Sequence, residues 1–258
     1  MSSFAPNFSL AGQIALITGS SQGLGFAIAQ AYAASGATVF INGRSADAVA
    51  TAVQSIRQAG HAAYPFVQDI NDLDSYTHNH NILCKGYGVP SIHVNCVGQR
   101  LRKSFAECTP TEITQHIQTN LTTTVQLSRL AAMAMRQSQQ SGRIISLSSI
   151  AGRIARPGDS IYPIAKQGIE GMVRALAVEF GSDGITSNGI APGTFATETN
   201  QALAADPIKG PQVLGRNPIQ RWAQPHEIAG AAVFLASPSA SYVNGHVMVI
   251  DGGFSITF

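Results

Sequence analysis

The amino-acid sequence predicts a doubly wound parallel α/β sheet of about seven strands, with helices on both faces, in one domain over residues 1–258. Three observations predict it. Short apolar runs alternate with helical patterns along the chain. The first clear run, 14–18, feeds a glycine-rich turn that opens a helix. No Pro/Ser-rich linker or charge run divides the sequence, and 45% hydrophobic against 12% charged residues is enough apolar material for a large core.

In order, strands are predicted at 13–18, 38–42, 62–67, 92–96, 143–147, 186–190 and 246–250, most of them followed by a helical pattern. Residues 1–10 read as a leader with no basic region preceding an apolar core, and no stretch approaches a membrane span. Three cysteines, Cys84, Cys96 and Cys108, lack any C-x-x-C spacing, so neither a disulfide framework nor a metal site is expected, and a reducing cytoplasm fits best. A net charge of +2, with the basic residues scattered, argues against nucleic acid as a partner.

Sheets of this kind bind ligands beyond the carboxyl ends of their strands, so the loops after the strands carry the search. After the first strand, Gly19, Gly23 and Gly25 flank Ser21, Gln22 and Leu24. Glycines here allow a tight turn, close approach of a pyrophosphate and close packing of the helix, whose free N–H groups and positive dipole end favour an anion. After the second strand, Asn42-Gly43-Arg44 offers no carboxylate to repel a 2′-phosphate and one guanidinium to bind it. That favours NADP(H) over NAD(H). Asp69 and Ile70 follow the third strand, and an Asp in that place can equally cap the next helix.

Tyr162 and Lys166 stand at i and i+4 near the start of a helical stretch, on one face, with Ser149 upstream. An ammonium about 4 Å from a phenol, at an effective dielectric of ~20, contributes about 4 kcal/mol, the size of effect that acid/base work near neutrality requires.

Taken together, Thr18-Gly19-x-x-x-Gly23-x-Gly25, Asn120, Ser149, Tyr162-x-x-x-Lys166 and Pro192-Gly193 resemble the short-chain dehydrogenase/reductase family, in order over nearly the whole chain. The resemblance implies a Rossmann-like fold and a nicotinamide cofactor. It also implies that Ser149 binds the substrate oxygen, Tyr162 transfers the proton, Lys166 grips the nicotinamide ribose and Asn120 anchors a proton-relaying water. Asp69 and Ile70 then match the adenine contact, Asn95 and Gly98 the turn near the ribose, and Pro192, Gly193, Thr194 and Thr197 the frame of the nicotinamide, with Phe195 a further cofactor contact. The chain departs from the family at Asn95-Cys96-Val97-Gly98, where Asn-Asn-Ala-Gly is usual. A weakly polar thiol in place of an amide puts the stiffness of the central strand in question.

On the substrate side, Arg100, Arg102 and Lys103 follow the fourth strand, and Arg153 and Arg156 follow the fifth. Five positive groups on one crevice suit a carboxylate, with Arg102 and Arg156 the expected contacts. The segments 41–44, 155–166, 191–198 and 221–222 also resemble the gluconate 5-dehydrogenases within the family. This implies a small anionic polyhydroxy acid as substrate, with D-gluconate and 5-keto-D-gluconate interconverted. The other readings are a 3-oxoacyl acyl-carrier-protein reductase, a sugar alcohol dehydrogenase, or a non-catalytic NADPH-binding sensor. Residues 199–222 are the expected lid. The resemblance implies a homo-oligomer, tetramer or dimer, and the apolar tail ending at Phe258 fits burial against a neighbouring subunit or in its own sheet.

Overall fold

The computed structural model describes residues 5–258, so the first four residues of the expected leader lie outside the described residues. Seven parallel strands form one sheet in the order β3-β2-β1-β4-β5-β6-β7. They are β1 (Ile14–Thr18), β2 (Thr38–Gly43), β3 (Ala63–Val67), β4 (Ile92–Asn95), β5 (Gly142–Leu147), β6 (Ile185–Pro192) and β7 (Val247–Ile250). Each sequence-predicted strand is present, with ends shifted by a residue or two; β6 runs furthest beyond its predicted bounds, carried to Pro192 by pairing with β7. The helices are α1 (Gly23–Ala34), α2 (Ala46–Gln58), α3 (Leu73–Tyr87), α4 (Pro110–Ile117), α5 (Thr123–Gln137), α6 (Tyr162–Phe180), α7 (Gln201–Ala205), α8 (Lys209–Leu214) and α9 (Ala229–Ala236).

The strands are buried on both faces because the main crossover helices cover both. Leu10, Ile28, Tyr32, Val49, Val53, Leu235 and neighbours from α1, α2 and α9 pack with β1, β2 and β4 on one side. Tyr76 and Leu83 of α3 and Leu127 of α5 pack against Leu16, Phe40 and Phe66 on the other. Leu10 is fully buried and its N–H donates to Ser35, so the end of the expected leader belongs to the core.

Chain order reverses between β1 and β4, which pair in parallel with Thr18 opposite Asn95. The crossovers leaving these two strands run in opposite directions, which opens a crevice at their carboxyl ends. Between α4 and α5, residues Gln118–Thr122 form a single π-helical turn, a feature often found at functional sites. Among the described residues no helix is long and apolar enough to cross a membrane.

Two buried histidines give the fold a pH response. Burial pushes His80 and His93 down from 6.5 to about 4, and the Nε2 of His93 lies 3.0 Å from the Asn95 amide oxygen. The unfolded chain takes up protons near 6.5 while the folded one resists until about 4, so their stabilising contribution is full above 6.5 and declines as the pH falls through that window. The unfolding free energy from urea titrations should fall as the pH drops from about 6.5 to 4, with a slope of up to about 1.4 kcal/mol per pH unit for each histidine. His93→Gln should reduce that slope, with His80 and the likewise buried His116 supplying the rest; an unfolding free energy independent of pH contradicts the assignment.

Candidate active site

The loops at the carboxyl ends of the strands enclose one cavity of about 1430 Å³, larger than the roughly 300–1,000 Å³ of ordinary small-molecule sites. Its size suits a dinucleotide together with a substrate. Every residue expected from sequence to bind cofactor or substrate contributes to its wall except Asn95.

The turn from β1 to α1 is built by close backbone packing. Gly19 has φ +61°, and a Cβ there would come within 2.9 Å of Val97 Cγ2. A Cβ on Gly25 would strike the carbonyl oxygen of Gly19, so the first turn of α1 sits directly on the loop. Asn42 braces the turn: its side-chain oxygen accepts the Gly19 N–H at 3.2 Å, and its amide nitrogen donates to the carbonyls of Phe66 and Gln68 at 3.0 Å each. The Asn42 side chain is thus committed to holding β1, β2 and β3 together beneath the cavity. Ser21, Gln22, Gly23 and Leu24 surround the start of α1, where Gln22 makes no side-chain cap and leaves N–H groups for an anion.

Gly43, the last residue of β2, lines the cavity. A Cβ there would lie 3.0 Å from both Ser21 Oγ and Val49 Cγ2, so an acidic side chain needs rearrangement to fit. Arg44 beside it is exposed on the cavity rim. The side chain of Asp69 accepts the Asn71 N–H at 2.9 Å, while Asp72 supplies the N-cap of α3. The alternative reading of Asp69 as that cap is therefore incorrect. Ile70 is buried against the core beneath it.

Asn95 is the sequence-expected cofactor residue that the structure places elsewhere. Its amide nitrogen donates to Ser128 Oγ at 2.9 Å and Ser146 Oγ at 3.1 Å, and its oxygen contacts His93, so it ties β4 to β5 and α5 inside the protein. Asn120 also lies behind the cavity wall, fully buried at the π-helical turn. Its oxygen accepts the Gln99 N–H at 2.8 Å and its nitrogen donates to His116 O at 3.0 Å. Both ends of the amide are engaged. Asn120 fixes the loop after β4 against the π-helical turn.

The departure at Cys96 proves local. Its N–H donates to Thr18 Oγ1 at 3.2 Å, which in turn donates to Val94 O, so the strand end is held without a second amide. Burial pushes the Cys96 thiol up to about 12, with Lys166 opposing weakly, which leaves it inert as a nucleophile near neutrality.

Ser149, Tyr162 and Lys166 converge on the same wall. Ser149 Oγ accepts the Ala151 N–H at 3.1 Å, which leaves its hydroxyl proton available to a ligand. Tyr162 is the first residue of α6, and Pro163 follows in the first turn, where a missing N–H costs little. Lys166 is 2% exposed; its ammonium donates to Leu147 O at 2.8 Å and lies 5.5 Å from the centre of the Tyr162 ring. Gly98 keeps the space beside it open, since a Cβ there would stand 3.2 Å from Nζ.

The expected five-cation cluster is reduced to three. Arg153 is bound to the buried Glu170 carboxylate at 3.0 Å and to Val247 O, and Lys103 to Glu112 at 2.5 Å. Neither lines the cavity. Arg100, Arg102 and Arg156 do, and the Arg100 guanidinium lies over the Tyr162 ring at 4.9 Å. Sequence reading missed Asp159, a buried carboxylate 3.6 Å from Arg100 and 3.7 Å from Arg156. Its position three residues before Tyr162 was the available signal, since the turn into α6 carries it to the same wall. His116 was missed as well: its ring is 6.0 Å from that of Tyr162 and its Nε2 is buried without a partner among the described residues.

Residues 199–222 form the remaining wall through Leu203, Lys209, Gln212, Val213 and Trp222. The two ends of this segment are held together where Ala223 exchanges backbone hydrogen bonds with Thr194 and Ala196 at 3.0 and 2.8 Å. Pro192, Gly193 and Thr197 lead into it along the cavity, while the Phe195 ring packs in the core.

A parallel sheet with its crevice at the β1/β4 switch point, and Ser, Tyr and Lys gathered beside it, defines a nucleotide-dependent oxidoreductase. A family model described as Enoyl-(Acyl carrier protein) reductase matches residues 19–255. The chain is 33% identical to a gluconate 5-dehydrogenase of Gluconobacter oxydans (strain 621H), covering 97% of each. It is also 33% identical to a 3-oxoacyl acyl-carrier-protein reductase of Vibrio harveyi, over 95% of this chain and 98% of that one. Among solved structures, a gluconate 5-dehydrogenase from Burkholderia cenocepacia J2315 in complex with NADP and tartrate superimposes with a TM-score of 0.92 at 31% identity, covering 97% and 98%. The chain belongs to the short-chain dehydrogenase/reductase family, oxidoreductases that act on CH–OH groups.

Proposed function

We propose that this protein interconverts a secondary alcohol and a ketone on a small sugar acid, most specifically D-gluconate and 5-keto-D-gluconate, with NADP(H). The observation that carries the substrate class is the three guanidiniums of Arg100, Arg102 and Arg156 in the cavity that holds Ser149, Tyr162 and Lys166. Guanidinium forks recognise carboxylates, and Asp159 is the one buried carboxylate among them. The likeness to gluconate 5-dehydrogenases, one of them solved with NADP and tartrate, supports the same reading.

The residues present fit the cofactor. The open start of α1 would take the pyrophosphate, Arg44 beside the side-chain-free Gly43 a 2′-phosphate, and Lys166 next to Gly98 the ribose. NADP(H), when bound, supplies the hydride chemistry. The chain handles the proton and the orientation. Ser149, its oxygen lone pair engaged by Ala151, donates its hydroxyl hydrogen to the substrate oxygen. Tyr162 gives that oxygen a proton during reduction and takes it back during oxidation. Lys166, with one N–H fixed on Leu147 O, keeps two for the ribose and the phenol side, and its charge is in place before the reaction begins. Asn120 is a positioning residue for the Gly98–Gln99 turn.

We propose further that the protein works as a homo-oligomer, because Ile256 and Phe258 at the end of the chain stand exposed. Light scattering should show a dimer or tetramer, and a monomer at all concentrations contradicts this. The three free cysteines fit a reducing cytoplasm.

NADPH oxidation measured over 5-keto-D-gluconate, neutral ketoses and an acetoacetyl thioester tests the substrate. The sugar acid should be preferred, and preference for the thioester favours instead the acyl-carrier-protein reductase reading that the 33% identical relative suggests. Tyr162→Phe should lower kcat by about 10²–10⁴-fold while NADPH still binds. Binding of NADPH without turnover of any ketone by the wild type would indicate a sensor.

A further inference from the structure

Asp159 is 2% exposed, and its Oδ1 has no hydrogen-bond partner among the described residues. Its Oδ2 is paired loosely, 3.6 Å from Arg100 and 3.7 Å from Arg156, distances longer than a hydrogen bond. Buried carboxylates ordinarily satisfy several lone pairs, and leaving them empty is costly. Asp159 nevertheless forms part of the wall of the same cavity as Tyr162 and Arg102. A carboxylate turns about its terminal torsion at little cost, so a donor arriving in that cavity reaches it after a small rotation.

We propose that Asp159 is a specificity-determining residue that accepts a hydrogen bond from a substrate hydroxyl. The cavity then reads two properties of its substrate at once, a carboxylate through Arg102 and a hydroxyl through Asp159. Arg100 and Arg156 hold Asp159 in place and offset its charge, so that it does not repel the anion as it enters. The inference rests on the sugar-acid reading and sharpens it. A keto acid without hydroxyls satisfies the arginines and leaves Asp159 empty, whereas a polyhydroxy keto acid satisfies both.

The test compares wild type, Asp159→Ala and Asp159→Asn on 5-keto-D-gluconate and on 5-oxohexanoate, which keeps the ketone and the carboxylate and lacks the hydroxyls. Asp159→Ala should lower kcat/KM for 5-keto-D-gluconate by about 10- to 100-fold, mainly through KM. The ratio of kcat/KM for 5-keto-D-gluconate to that for 5-oxohexanoate should fall by about the same factor, and NADPH affinity by fluorescence titration should be unchanged. Asp159→Asn keeps the volume and one acceptor oxygen; it should show the same selectivity in smaller measure, and it carries the test if the alanine variant fails to fold. Parallel losses on both substrates, or no loss on either, overturn the proposal, the former reducing Asp159 to an anchor for two arginines. Wild-type inactivity toward both keto acids, with turnover of an acetoacetyl thioester, overturns the sugar-acid reading and this proposal with it.

Discussion

The site depends on one buried ammonium. Lys166 leaves water almost completely, and an unpaired charge in that position would cost several kcal/mol. The carbonyl of Leu147, the last residue of β5, offsets part of that cost with a 2.8 Å hydrogen bond. This bond joins the end of a central strand to the second turn of α6, and so fixes where Tyr162 stands. It also requires that nothing else fill the space, which is why Gly98 lies beside Nζ and why the loop after β4 is pinned by Asn120. The Ser148 hydroxyl, donating to the Lys166 carbonyl at 3.0 Å, repeats the same β5–α6 tie one residue further along.

From that point the cavity divides by charge. Toward β1 and β2 the available groups are backbone N–H at a helix start and a single rim arginine, a surface for phosphates. Toward the loops after β4 and β5, Arg100 and Arg156 stand beside the Asp159 carboxylate and Arg102 lines the same cavity, an excess of positive charge that suits a small anion. Tyr162 lies at the boundary, with Lys166 5.5 Å from its ring centre and Arg100 4.9 Å from it. Two cations flank one phenol. The segment between Thr194 and Ala223, with its ends hydrogen-bonded together, supplies a further wall of the cavity.

Much of this was legible in sequence because the signals were local or periodic. Strands buried on both faces read as short apolar runs, and the glycine turn after β1 announces itself by spacing. Tyr162 and Lys166 are related by one helical turn, so their proximity needs no tertiary knowledge. What failed to read was the state of side chains whose partners are distant in the chain. Arg153 looked like a free loop cation until Glu170 and Val247 closed around it. Asn95 looked like a cofactor ligand, yet Ser128 and Ser146 from other elements engage its amide within the core. Asp159 escaped notice for the converse reason. A lone acid in a Gly/Ser-rich loop reads as solvated, and only the fold buries it between Arg100 and Arg156.

If one amine both orients the cofactor and makes the tyrosine competent, Lys166→Met removes both functions together. NADPH dissociation constants and single-turnover reduction rates at saturating NADPH should be measured on the same preparation. NADPH should bind more weakly and the rate should fall by about 10²-fold or more. Wild-type affinity and wild-type rate in that variant would contradict this double role.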